Sequence, residues 1–169
     1  PWNDKTTLHI WDWAKSTKSK PLDAVADRSM TLSPDGKKVV TNDGRAIDTT
    51  TGEVTRLANF DGDVYRAKFS RDGRMLVLMI YGGGNQGTAR VLEFPSGKKI
   101  CEIPDIFPHM FVADFSSGGK QVVLIGMDLI TRRFETTSGR ELTKYEPAHS
   151  NSVRAVTISN GGNYVVSSG

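Results

Sequence analysis

Apolar residues along this chain fall in short runs, and the runs repeat with one order of hydrophobic and polar positions. Each repeat opens with an alternating stretch that ends on serine, passes a glycine-bearing turn, and enters a strongly apolar run. The copies are RSMTLSPDGKKVVT from Arg28, YRAKFSRDGRMLVL from Tyr65, FVADFSSGGKQVVL from Phe111 and RAVTISNGGNYVVS from Arg154. Strict alternation predicts a strand with one covered face, and a near-continuous apolar run predicts a strand buried on both. The marker serines, Ser33, Ser70, Ser116 and Ser159, are spaced by 37, 46 and 43 residues. A period near forty with several strands per unit predicts a β-propeller, one blade per repeat.

A second marker follows in three repeats. IDTTTGE, LEFPSGK and FETTSGR carry Gly52, Gly97 and Gly139, each read as a tight turn between a third and a fourth strand. The first unit, IWDWAKSTKSKPL, is expected to replace this glycine with a longer Ser/Lys-rich loop. No stretch of 12 or more residues shows a 3.6-residue apolar period, so helices are expected to be nearly absent. The predicted fold is all-β, a propeller of four-stranded antiparallel blades with four blades' worth of strands. The blades are expected at 23–60, 61–105 and 106–147, with 148–169 joined to 1–22. The pattern opens inside a third strand (Thr6 to Trp13) and ends after a second (Asn163 to Ser168). The two termini are therefore expected to share one blade, two strands from each, which satisfies otherwise exposed edges.

These residues resemble the WD-repeat family of propellers over essentially the whole chain. DKTTLHIWDW matches that family's third strand, with Trp11-Asp12 as the naming dipeptide. Ile47-Asp48, Leu92-Glu93 and Phe134-Glu135 are degenerate equivalents. AHSNSVRAVTISNGG resembles the family's Gly-His opening, with Ala148 in place of glycine. The resemblance implies a hydrogen-bonded set of His149, Ser167, Asp4 and Trp11 in the shared blade. It also implies a protein or peptide partner. Family rings usually have about seven or eight blades. Two chains forming one eight-bladed ring are therefore expected ahead of a fragment of a longer propeller, and both ahead of a closed four-bladed monomer.

Composition fits this picture. Of 169 residues, 37% are hydrophobic and 24% charged, enough for a packed interior. Lys+Arg is 22 against 19 Asp+Glu, a mild +3. The basic pairs, such as Lys37/Lys38 and Arg132/Arg133, recur at hairpins and outer strands, where they keep sheet edges solvated. No specific nucleic-acid partner is expected. Met75 to Ile80, the longest apolar run, is too short to cross a bilayer as a helix, no leader pattern is read in the opening residues, and no membrane partner is expected. The single cysteine, Cys101, excludes an internal disulfide framework. A free thiol suits a reducing compartment, so a cytoplasmic location is favoured.

Motifs for chemistry are weak. GGGNQG, Gly82 to Gly87, has the G-x-G-x-x-G spacing, but a dinucleotide site needs that motif to open a helix, and the strand-like TARVLEF follows. His9, His109 and His149 show no metal-ligand spacing. No catalytic, cofactor or metal residue is assigned. The candidate interaction surface is Arg28, Tyr65, Phe111 and Arg154, five residues before each marker serine, together with Asn85 and Gln86 in the glycine-rich loop. Arg, Tyr and Phe at one level of the ring are types suited to an interface. The expected function is a non-catalytic interaction scaffold pairing with a second copy. The alternatives are an excised or engineered piece without ligand, or a propeller hydrolase with a central metal site.

Overall fold

The computed structural model describes residues 7–18, 22–23, 30–57, 63–81, 87–106, 112–147 and 149–169. Four short strands come first: β1 (Thr7–Leu8), β2 (Trp11–Asp12), β3 (Thr17–Lys18) and β4 (Leu22–Asp23). Leu8 pairs with Leu22 and Trp11 with Lys18. The two antiparallel pairings are nested in the sequence, β2 with β3 inside β1 with β4, and together they are called the head hairpin below.

Three four-stranded antiparallel sheets follow, each in simple up-and-down order. Blade 1 is β5 (Met30–Leu32), β6 (Lys38–Thr41), β7 (Arg45–Asp48) and β8 (Val54–Arg56). Blade 2 is β9 (Asp63–Phe69), β10 (Met75–Tyr81), β11 (Gly87–Glu93) and β12 (Lys99–Ile106). Blade 3 is β13 (Val112–Phe115), β14 (Gln121–Ile125), β15 (Thr131–Glu135) and β16 (Glu141–Tyr145). A tail hairpin, β17 (Ala155–Ile158) with β18 (Val165–Ser168), ends the chain. The described helical content is one 3₁₀ turn, Ser117–Gly119. The fold is all-β and built of propeller-like blades, as the repeat predicts.

Blade 2 is covered on both faces, since side chains alternate across a strand and each face meets a neighbouring blade. Val40 and Ala46 of blade 1 join Leu76, Leu78, Ile80 and Leu92 of blade 2 in one cluster. The opposite face of blade 2, Val77, Met79, Val91, Cys101 and Ile103, packs on Ala113, Phe115, Val122, Leu124 and Phe134 of blade 3. This explains the continuous apolar runs, with β10 buried at its five central positions. Burial of each such side chain contributes about 1.5–3 kcal/mol.

The two hairpins sit at opposite ends of this stack. Leu8 and Ile10 of the head pack on Val39 and Ile47, the face of blade 1 turned away from blade 2. Val153 and Val156 of the tail pack with Val112 and Ile125, the face of blade 3 turned away from blade 2. Head and tail contribute two strands each, and among the described residues no ladder joins β18 to β2. Packing accounts for this: each hairpin is held by the blade next to it in sequence, and those blades are separated by blade 2.

Candidate functional site

The marker serine shapes the first turn of every repeat. Ser33 N donates to Lys38 O at 2.8 Å, and Lys38 N donates back to Ser33 Oγ at 2.9 Å. The same reciprocal pair joins Ser70 with Met75, Ser116 with Gln121 and Ser159 with Tyr164. In the first two repeats the hydroxyl also donates to the turn aspartate, Ser33 to Asp35 at 2.6 Å and Ser70 to Asp72 at 2.7 Å. Those hydroxyls hold both carboxyls below the usual carboxylate range, helped by the backbone N–H of Lys37 and of Arg74. Asp48 is lowered more strongly, by the N–H groups of Thr51 and Thr50 and by Lys38. These acids are turn fasteners.

The second marker turn repeats as closely. Gly52, Gly97 and Gly139 donate their N–H to Asp48, Glu93 and Glu135 carbonyls, each at 2.9 Å, with φ of 77°, 71° and 71°. The first unit departs from the expectation of a longer loop. Ser16 stands four residues after Asp12, where the glycine stands elsewhere, and takes a left-handed φ of 52° itself. The turn geometry is kept, and a serine is strained into it.

Because these turn hydrogen bonds recur at fixed spacing, equivalent positions in the repeats can be compared directly. The third-strand position five residues before the second marker is Ile47, Leu92 or Phe134, exposed by 1%, 1% and 3%. In the head hairpin it is Trp11, exposed by 64%. The second-strand position seven residues after the marker serine is Val40, Val77 or Val123, each 0% exposed. In the tail hairpin it is Val166, exposed by 64%. The inner-strand position before the serine is Phe69, Phe115 or Ile158, all buried, but Leu32 in blade 1 is 55% exposed. Met30, two residues earlier on the same face, is 50% exposed. The uncovered apolar positions thus mark the missing half of a blade at each end of the stack. Sequence reasoning singled out Trp11 but missed Val166, Leu32 and Met30, although aligning the repeats contains the signal.

The predicted hydrogen-bonded set is half assembled. His149 Nε2 and Ser167 Oγ lie 2.8 Å apart. Asp4 lies outside the described residues. Trp11 is on the head hairpin, at the other end of the stack, and among the described residues no hydrogen bond joins it to His149 or Ser167. Of the candidate surface, Arg28, Phe111, Asn85 and Gln86 lie outside the described residues. Tyr65 and Arg154 are exposed on the inner-strand side. Tyr65 is the extra residue of a β-bulge, since Arg66 faces Met79 and Val64 faces Ile80. Its ring lies under the Arg66 guanidinium at 5.8 Å. Arg154 N donates to Ser168 O at 2.8 Å. Of the glycine-rich motif, residues 82–86 lie outside the described residues; Gly87 opens β11 and stands opposite Tyr81 at the end of β10, so a strand and not a helix follows the motif.

A cavity of about 440 Å³ lies where the inner strands end, lined by Leu32, Lys68, Arg71, Asp114, Phe115 and Thr157 among others. Two of its lining residues are joined, Arg71 donating to Asn160 Oδ1. Cys101 is buried, and burial pushes its thiol above the usual range, away from the nucleophilic thiolate. Among the described residues no three His, Cys, Asp or Glu side chains cluster as metal ligands. No protein-family model matches the chain, and no curated protein matches it significantly.

Proposed function

We propose that this chain is a non-catalytic interaction scaffold of the WD-repeat-like propeller kind, and that a second copy closes its ring. In this reading the head hairpin of each copy lies beside the tail hairpin of the other. Two composite blades and the three complete blades of each copy then make eight. The observation that carries the reading is the burial contrast at equivalent positions. Trp11, Leu32, Met30 and Val166 are apolar residues whose counterparts are covered by a neighbouring blade.

The strand count supports it, because two head strands and two tail strands make the four of a complete blade. Two-fold closure repeats one joint twice and leaves no free end, the economical form for a homo-oligomer. Pairing would also cover the outer edge of β18, which has no ladder among the described residues. A peptide or protein partner is proposed for the ring's inner-strand face, where Tyr65 and Arg154 are exposed.

Light scattering coupled to size exclusion tests the assembly. The paired ring gives twice the 18.5 kDa chain mass at micromolar concentration. A mass of 18.5 kDa at every concentration rejects it. Replacing Val166 with Asp removes the apolar cover and is expected to leave the folded single chain.

A further inference from the structure

Blade packing follows one rule through the stack. The third-strand residue at the Trp11 position packs into the preceding blade, among residues six before that blade's second marker glycine. Leu92 shares a cluster with Ala46, and Phe134 shares a cluster with Val91. Blade 3 breaks the pattern: its residue at this position is Arg133. Arg133 Nη2 donates to Thr143 Oγ1 at 3.1 Å, which fixes the guanidinium plane. Its Nε is buried and has no hydrogen-bond partner among the described residues. Nearby on the same face, Tyr145 is exposed where its counterpart in blade 2, Ile103, is buried.

We infer that Trp11 of one copy stacks on Arg133 of the second copy, an aromatic–cation joint that specifies which end of the arc meets which. The inference rests on the paired ring proposed above. A tryptophan face is the best aromatic acceptor for a cation, and a half-buried, incompletely bonded guanidinium gains most from one. Each component fits the role. Trp11 is uncovered in the single chain, whereas its three counterparts are smaller residues already packed. Arg133 replaces the Ala or Val that receives those counterparts. An arginine–tryptophan contact also keeps both surfaces tolerable in water before assembly, which a Leu–Val contact would not.

The test is a double-mutant cycle on the association of the full chain, read as the dissociation constant by analytical ultracentrifugation. Trp11→Ala, Arg133→Gln and the double variant are compared with the wild type. Trp11 is 64% exposed, circular dichroism of each variant checks that the fold is kept, and the glutamine retains a donor for Thr143. Two joints close the ring, so a fivefold loss per joint enters the constant twice, about 25-fold for each single variant. The double variant is expected to be no weaker than the weaker single one. Trp11→Phe is expected to retain part of the binding. Effects that multiply in the double variant, or an Arg133→Gln chain that pairs like wild type, overturn the inference and leave the ring standing. A wild-type chain that never pairs overturns both.

Discussion

The carboxylate of Asp114 accepts a hydrogen bond from Thr157 Oγ1 at 3.0 Å and another from the Ile158 N–H at 3.2 Å. A side chain on the inner strand of blade 3 therefore fastens the inner strand of the tail hairpin. Lys68 of blade 2 lies 3.8 Å from the other Asp114 oxygen. Lys68, Asp114 and Thr157 all stand two residues before a marker serine, so one polar level links three consecutive inner strands. Asp114→Ala is expected to loosen the tail hairpin selectively. Hydrogen exchange should rise in β17 and β18 while β10 and β11 keep their protection. Equal protection in both regions would show that apolar packing alone holds the tail.

Removing a marker hydroxyl should weaken its repeat. Ser70 is buried, and its Oγ both accepts from Met75 N and donates to Asp72. Ser70→Ala leaves the Met75 N–H with no side-chain acceptor, at an expected cost of about 1–2 kcal/mol. Ser159→Ala, with a single such bond from Tyr164, should cost less. Denaturant midpoints of the two variants give the comparison.

Relieving the head turn should strengthen it. Ser16 holds φ at 52°, where the other repeats place glycine. Ser16→Gly is expected to stabilise the hairpin by about 1 kcal/mol, the usual scale of left-handed strain in a residue with a Cβ. A higher thermal midpoint is the expected result, and an unchanged one would show that the added chain entropy of glycine cancels the gain.

How much of this was legible follows from how the signals arise. Marker serines and glycines are local: each is required by a turn of fixed shape, so four serines and three glycines carry the all-β repeat pattern in the sequence itself. Strand burial was equally legible, because Met75 to Ile80 can be apolar throughout only if both faces are covered. The Ser16 turn was not, since a left-handed serine has no composition signal and reads as loop. The separation of head and tail was hidden for a different reason. Periodicity shows that two half-blades exist, whereas the partner of each half depends on interfaces between distant segments. The resemblance alone groups His149, Ser167, Asp4 and Trp11; His149 and Ser167 meet because both belong to the tail repeat, whereas Trp11 lies on the head hairpin.

Acid should destabilise the turns in a defined window. Asp35, Asp48 and Asp72 all have carboxyls held below the ordinary value of 3.8 in the folded chain. A depressed folded pKa means the unfolded chain takes up protons first as pH falls. The contribution is complete above the unfolded value and is lost as pH falls from there through the folded one. Thermal midpoints are therefore expected to be flat from pH 7 to about pH 5 and to drop below about pH 4. Asp48→Asn should flatten part of that drop.

Two glycine substitutions separate backbone conformation from packing. Gly36 and Gly97 share a left-handed φ, 73° and 71°. A Cβ on Gly36 meets nothing within 4 Å, whereas one on Gly97 lies 2.0 Å from the Leu57 carbonyl oxygen and 2.8 Å from its carbon. Gly36→Ala thus carries the conformational cost alone, about 1–2 kcal/mol. Gly97→Ala carries the same cost and must also push the β11–β12 turn of blade 2 away from the end of blade 1. That contact is backbone and cannot swing aside, so the seam around Leu57, Val64 and Leu92 has to open. The difference between the two variants measures how tightly consecutive blades are docked. A Gly97→Ala midpoint well below that of Gly36→Ala is expected. Equal midpoints would mean that blade-to-blade docking yields without loss, and the burial contrast at the open ends would then lose its force as a sign of a required neighbour.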